Sequence, residues 1–397
     1  MVTSEQALKN KIAVQKEGKK RWFDSYCIGT LAYATGVGKS KTAIDCIEEV
    51  RHQYLQKYGE GLPQGLLVTP TEEMRDVDWP DEFSKWGVSM DGITSICYAS
   101  LSKVDLSQYD YIIYDECHRL TIPNLQKLAL VIGTKMVLGL TATYPKLKYE
   151  DDKERVDLIT ELLPPIHTVS TDEAVDLGLI ADFEVMVLKF YLDGVTRNIP
   201  CGTKAKELRT EKVHYAKLTK RISWAVIKKI DALKFSVISK RMNFLYNLPS
   251  KLRLAQQCLE QLTTDTKRTL VFAGSIEQAE ALCGEYVYHS KSSDKYLKAF
   301  QNKDISTLGA VRCLNEGKNL KEPDQALIVQ VDSVDRNLVQ RIGRIVRIRY
   351  DNPEFKARIV ILVAIGTADE QWYKSSIKEF ETKRIREFIV RVPDIKK

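Results

Sequence analysis

The sequence predicts an α/β protein of two domains, each a parallel sheet between layers of helices. Three observations lead there. Short apolar runs of strand length alternate with longer helix-like segments, the rhythm of repeated βαβ units. The alternation occurs twice, and "ELLPPIH" (161–167) interrupts it with a proline pair, so the expected domains are 1–165 and 166–397. A chain of 397 residues, 44% hydrophobic and 28% charged, is long enough and ordinary enough in composition for more than one core.

In the first domain the expected strands are "IGTLAY" (28–33), "GLLVT" (65–69), "TSICY" (94–98), "YIIY" (111–114) and "MVLGL" (136–140). Helical stretches such as "KTAIDCIEEVRHQYLQKYG" lie between them. The second domain opens with a strand, "FEVMVLKFYL" (183–192), followed by a long basic helical segment at about 203–246. The strand rhythm then resumes with "RTLVFAG" (268–274), "TLGAVRC" (307–313), "QALIVQV" (325–331) and "ARIVILVAIG" (357–366). The chain carries no short-period repeat and no low-complexity tract.

Charge divides the chain more sharply than hydropathy does. Residues 1–180 hold 20 Lys and Arg against 27 Asp and Glu, whereas residues 181–397 hold 40 against 26. The excess is densest over 201–250, with 12 against 3. Either a polyanionic partner or a solvated helical surface accounts for it. No window reaches the roughly 18 apolar residues needed to span a bilayer, and the polar start "MVTSEQALKNKIAVQKEGKK" has no apolar signal core. The expectation is a cytoplasmic protein without a membrane partner. The eight cysteines (27, 46, 97, 117, 201, 258, 283 and 313) include no C-x-x-C pair and sit mostly in apolar runs, so buried, reduced thiols are expected.

Candidate chemistry begins at "ATGVGKS" (34–40), between a strand and a helix. That context suits a phosphate-binding loop, in which backbone N–H groups and a helix N-terminus face phosphate oxygens. Gly36 and Gly38 let the backbone approach closely, Lys39 would reach the β- and γ-phosphates, and Ser40 would ligate Mg²⁺. The usual pattern has a glycine at position 33, where this chain has Tyr33. Further on, "YIIYDECH" (111–118) ends an apolar strand in Asp115-Glu116. A carboxylate at a strand tip is what the Mg²⁺ of such a loop requires, and a second can orient or deprotonate a water. Asp115 is thus the expected metal ligand and Glu116 the expected water-activating group, where an Asp-Glu pair after a strand could otherwise cap a helix.

Taken together, A-T-G-V-G-K-S, D-E-C-H and "GLTAT" (139–143) resemble the superfamily 2 DExH-box helicases, of the branch that includes phage helicases and restriction-enzyme motor subunits. In that family the loop commonly lacks the first glycine, so Tyr33 is no defect. The resemblance implies two tandem RecA-like domains, with ATP and Mg²⁺ held at an interdomain cleft. Nucleotide contacts fall on Thr35, Gly36, Val37, Gly38, Lys39, Ser40 and, in "RCLNEGKNL" (312–320), Gly317. Asn319 stands where many relatives have Asp. "LVQRIGRIVR" (338–347) matches Q-x-x-G-R-x-x-R at Gln340, Gly343, Arg344 and Arg347, and its arginines would stabilise charge on the transferring phosphoryl group. His118 would link the ATP site to Thr141 and Thr143, which couple nucleotide state to strand contacts. Thr69, Pro70, Ser100 and Ser275 fall where relatives touch the nucleic-acid backbone, and Gln15 where some read adenine. The motif series spans about residues 28–370.

The implied activity is ATP-dependent DNA translocation or unwinding, 3′-to-5′, in phage or bacterial replication, recombination or repair. Single-stranded, duplex or branched DNA is the expected partner, with accessory replication or recombination proteins, and the protein is expected to be a monomer. An RNA helicase, a motor subunit that needs another protein, and an ATP-gated binding protein remain alternatives. The basic segment brings Trp224, Phe235, Phe244 and Tyr246, which can stack on bases or pack its helices together.

Overall fold

The computed structural model describes residues 2–147, 152–201, 207–263, 267–311, 323–331, 338, 341–343, 345–346, 352, 354–380 and 382–392. Two compact units emerge, one built mainly from Met1–Asp182 and the other mainly from Phe183 onward.

Strands of the first unit are β1 (Ile28–Tyr33), β2 (Gly65–Thr69), β3 (Ile93–Cys97), β4 (Tyr111–Asp115), β5 (Met136–Thr141) and β6 (Pro165–Val169). They form one parallel sheet in the order β3-β2-β4-β5-β1-β6. β2 and β4 are buried along their whole length, which fits their near-continuous apolar sequences and helices on both faces. The helices α1 (Ser4–Asp24) and α2 (Lys39–Tyr58) lie side by side, with α1 also against β1 and β6.

The sixth strand lies where the sequence suggests a break. Pro165 is its first residue, on an edge strand, where a missing N–H removes no ladder bond. The preceding carbonyl, of Pro164, accepts from the Thr30 amide at 2.8 Å and starts the pairing with β1. The proline pair therefore opens a strand of the first sheet, and the continuous first unit runs on to Asp182 rather than stopping at 165.

In the second unit the principal sheet takes β7 (Asp182–Tyr191), β10 (Thr269–Ala273), β11 (Val287–His289), β12 (Thr307–Val311), β13 (Gln325–Ile328), β14 (Lys356–Ile365) and β15 (Ile385–Ile389). Their order is β11-β12-β10-β13-β14-β7-β15, and the pairs about β10, β12 and β13, like β7–β15, run parallel. The core on one face joins Val271, Leu327, Val360 and Leu362 to Leu254 and Leu259 of the helix α9 (Pro249–Leu262).

The expected helical segment at 203–246 is shorter at its start. Ile199–Cys201 (β8) and Glu207–Arg209 (β9) pair as a small antiparallel ribbon, and helix begins only after Thr210, whose hydroxyl caps the Val213 amide. Two helices follow, α7 (Glu211–Ile227) and α8 (Asp231–Tyr246), packed as a hairpin. Its root is fastened by buried polar groups. The fully buried Glu211 carboxylate accepts from the Ser250 amide at 2.8 Å and the Asp193 amide at 3.0 Å, and the Tyr215 hydroxyl accepts from the Ala368 amide at 2.9 Å. Beside it a buried network joins Lys251, Gln330 and Asp369: Lys251 Nζ donates to Asp369 at 2.5 Å and to Gln330 at 2.8 Å, and Gln330 Nε2 donates to Asp369 at 3.0 Å.

Candidate active site at the carboxyl edge of the first sheet

β4, β5 and β1 are neighbours and parallel, so the loops leaving their C-terminal ends share one edge of the sheet, where open α/β sheets bind ligands. Register sets Asp115 opposite Leu140, and Thr141 opposite Ala32, just before the phosphate-binding loop. Three motifs separated by tens of residues in sequence are thereby placed side by side.

The loop itself needs its glycines. Gly36 (φ 95°) and Gly38 (φ 108°) lie in the left-handed region that Cβ disfavours. Gly38 caps α2, and its carbonyl accepts from the Thr42 amide at 3.0 Å. Lys39 Nζ donates back to the Tyr33 carbonyl at 3.2 Å, and its charge reaches both carboxylates of the D-E pair. Gln15, nearly buried on α1, donates to the Val37 carbonyl at 3.2 Å. A Cβ on Gly38 would come within 2.2 Å of its amide nitrogen. Gln15 is thus a brace under the loop, with its amide N–H engaged by protein.

The Tyr33 side chain is fully buried, with its hydroxyl between α1 and β6. Its hydroxyl hydrogen-bonds with His167 Nδ1 at 2.8 Å, and the ring fits only because Gly18 of α1 has no side chain: a Cβ there would lie 1.9 Å from the hydroxyl oxygen. The position that holds glycine in other phosphate loops here anchors the loop's incoming strand.

Asp115 and Glu116 are adjacent but sit in different environments. Trp79 Nε1 donates to Asp115 Oδ2 at 2.9 Å, and Tyr98 donates to the Asp115 carbonyl at 2.9 Å. Burial pushes the Asp115 carboxyl up, and the Glu116 charge adds to that. Glu116 has a left-handed backbone (φ 52°, ψ 52°), a strained conformation for a residue with Cβ. Burial works to raise its carboxyl too, but the His118 hydrogen bond and the Lys39 charge overcome that and hold it low.

From Glu116 a polar chain leads to the end of β5. His118 Nδ1 lies 3.2 Å from Glu116 Oε2 and 2.9 Å from Thr141 Oγ1. Thr141 Oγ1 in turn accepts from the Thr143 amide at 3.1 Å. His118 Nε2 and Thr143 Oγ1 are buried with no hydrogen-bond partner among the described residues. Gly139 makes room for this turn, since a Cβ there would come within 2.6 Å of Thr30 Oγ1 and 3.0 Å of Cys117 Sγ.

Ser40, a hydroxyl in the first turn of α2, and Asp115, a buried carboxylate at the end of β4, are donors of the kind that a magnesium ion takes. Among the described residues no group of three or more His, Cys, Asp or Glu could hold a metal, so water and phosphate oxygens would complete the shell.

The residues expected at a nucleic-acid backbone are treated unevenly. Thr69 is fully buried and its hydroxyl is spent inside, donating to the Thr71 and Ile96 carbonyls at 3.1 and 3.3 Å. Pro70 is partly exposed and Ser100 exposed. The Ser275 hydroxyl caps α10 (Ile276–Cys283) through the Gln278 amide and donates to Asn247 at 2.9 Å. Gly317, Gln340, Arg344 and Arg347 lie outside the described residues. Their neighbour Arg341 is buried, donates to the Gln330 carbonyl at 2.7 Å and lies over the Phe272 ring. Its job is to hold the fold.

Sequence reasoning did not find Trp79, Tyr98 or Gly18. "DVDWPDEF" signals a helix start and nothing about a carboxylate two strands away, and the Gly18–Tyr33 fit exists only once α1 crosses β1.

Known proteins resemble the chain in part and in whole. The family described as "Type III restriction enzyme, res subunit" matches residues 89–146, the stretch carrying β3 to β5 and the D-E-C-H turn. The chain is 24% identical over 296 residues to a "Putative DNA 3'-5' helicase Rad25" of Haloarcula marismortui, covering 71% of this chain and 40% of that protein. It is 21% identical over 394 residues to a "DNA 3'-5' translocase XPB2" of Sulfurisphaera tokodaii, covering 91% and 84%. Among solved structures, the ATP-dependent Type ISP restriction-modification enzyme LlaBIII bound to DNA superposes with a TM-score of 0.56 at 14% identity, over 96% of this chain and 31% of that one. A fragment of a putative HsdR subunit of a type I restriction enzyme from Vibrio vulnificus gives 0.60 at 17% identity, over 96% and 68%. The fold is therefore that of tandem RecA-like units. The chain spans about two fifths of the Rad25 protein and about a third of LlaBIII.

Proposed function

We propose that the chain is an ATP-dependent DNA helicase or translocase of superfamily 2, and that its DExH turn is the hydrolytic centre. One observation carries the reading: Lys39, Asp115 and Glu116 meet at the edge where β1 and β4 end, and His118 ties Glu116 to Thr141. Bound ATP and Mg²⁺ supply the phosphoryl group and the charge that neutralises its oxygens. The loop amides and Lys39 bind and orient the phosphates. Asp115 and Ser40 would hold the metal. Glu116, kept ionised, accepts a hydrogen bond from the attacking water and orients it. A change at Glu116 moves His118 and, with it, Thr141 and Thr143, which is how hydrolysis reaches the nucleic-acid surface. The relatives' names favour DNA and 3′-to-5′ movement. A phage or bacterial role in replication, recombination or repair rests on the motif resemblance. Because two of the resembling proteins are far longer than the match, a motor subunit that works with other domains is the second reading.

The test is steady-state ATPase with single-stranded, duplex, forked and four-way DNA and an RNA control. Stimulation by DNA is expected. Glu116→Gln should keep nucleotide binding while turnover falls about 100-fold or more. Equal rates with and without nucleic acid would sink the motor reading, and normal turnover in the variant would sink the assignment of Glu116.

A further inference from the structure

The α7–α8 hairpin is built differently at its two ends. At the root, Tyr246 is buried, its ring against Gly274 and its carbonyl accepting from Gln278 Nε2 at 2.5 Å. Phe244 is half-buried against the His214 ring, with centroids 4.6 Å apart. These two aromatics pack. At the tip nothing comparable happens. From Ser223 to Ala232 every residue except Ala225 is exposed. Trp224 is 49% exposed, Ile227 75% and, one turn into α8, Phe235 63%.

The turn between the helices is closed by backbone alone. The Ile230 amide donates to the Ala225 carbonyl and the Lys229 amide to the Val226 carbonyl, both at 3.0 Å. That pattern is a Schellman cap, whose left-handed residue is usually glycine. Here it is Lys229, at φ 54°. Lys228 and Lys229 thus stand at the apex, and Lys234 Nζ lies 5.2 Å from the Phe235 ring centre. Over 211–246 there are nine Lys and Arg against two acidic residues.

An apolar tip among lysines can face a protein or a nucleic acid, and the charge decides. Nine cations against two anions complement a polyanion, and aromatic rings among lysines suit bases strung on phosphates. We propose that the tip of the α7–α8 arm is a base-stacking surface. Trp224 and Phe235 take the open face of a nucleobase at a strand end or at a junction of single strand and duplex, while Lys228, Lys229 and Lys234 hold the flanking phosphates. This rests on the reading of the chain as a nucleic-acid motor and gives it a contact that distinguishes an unpaired base from a paired one.

The experiment uses the full chain and two probes, a single-stranded oligonucleotide and a forked duplex, each with 2-aminopurine at the unpaired position next to the junction or strand end. The expected result is a change in 2-aminopurine emission on binding. Trp224→Ala with Phe235→Ala should abolish that change and weaken binding by about 5- to 150-fold per stacked base. The slope of log affinity against log salt should stay the same, since no charge is removed. Trp224→Tyr should restore the emission change, which a merely structural role would not require. Lys228→Gln with Lys234→Gln should flatten the salt slope instead. If the wild-type chain binds both probes and the double alanine variant binds equally well with the same emission, the tip is not a base-stacking surface and faces another partner, such as a protein. If the wild-type chain binds neither probe, the proposal falls together with the motor reading.

Discussion

Tyr33 shows how far a single residue can be understood from its pattern and where that understanding stops. The motif explains why glycine is dispensable at position 33. Only the fold explains why tyrosine is there: its hydroxyl reaches His167 through a gap left by Gly18. Gly18 has ordinary helical backbone, so alanine there would favour α1 by up to ~1 kcal/mol were it not for the clash. Gly18→Ala alone should therefore destabilise the first unit by about 1–3 kcal/mol through overpacking. Tyr33→Phe alone should cost about 1 kcal/mol for the lost hydrogen bond. Because the clash is chiefly with the oxygen that phenylalanine lacks, the double variant should be more stable than the sum of the two by about 1 kcal/mol or more. Denaturant melts of the four proteins measure the coupling, and simple additivity would disprove the fit. The candidates Lys39, Asp115 and Glu116 stand out in the sequence because the patterns that mark them are local to short strings. Trp79 and the burial of Thr69 were not, because they depend on which elements become neighbours.

Elements were legible where one force dominates. The central strands of both sheets are apolar runs, and the structure places most of them within a residue or two of where the sequence does, while β13 stops at Ile328, short of the expected 331. β6 goes unforeseen because a proline pair normally punctuates, and nothing in "ELLPPIH" tells that the first ladder position needs no donor. The basic arm was legible as charge, but not as a hairpin with a packed root and an exposed tip. Its turn carries a prediction of opposite signs. A lysine in the left-handed region costs about 1 kcal/mol relative to glycine. Lys229→Gly should relieve that strain and raise the melting temperature of the second unit. The same change removes a cation from the apex, so the salt slope for single-stranded DNA should fall by about 0.7. A variant that is less stable than the parent would mean that the Lys229 side chain makes a stabilising contact. One with an unchanged slope would place Lys229 away from the phosphates.

At the scale of the whole molecule, the described groups proposed to bind ATP belong to one unit while the basic arm belongs to the other, and each unit has its own buried core. The cysteines make the units separately visible. Cys46 and Cys117 are fully buried in the first, and burial pushes both thiols well above their ordinary range. In the second, burial raises Cys258 to about 11 and Cys283 to about 12. A thiol held protonated and covered reacts only when its unit opens, so labelling in mild denaturant reports opening unit by unit. A ligand that binds the folded state alone stabilises it by RT ln(1 + [L]/Kd), about 2.7 kcal/mol at a hundredfold excess over Kd. A non-hydrolysable ATP analogue with Mg²⁺ should therefore slow labelling of Cys46 and Cys117 by up to ~100-fold. If the nucleotide is held by the first unit alone, Cys258 and Cys283 should keep their rates. Protection of Cys258 and Cys283 without protection of Cys46 and Cys117 would contradict the assignment of Lys39 and its loop, because no arrangement in which that loop binds phosphate leaves its own unit unstabilised.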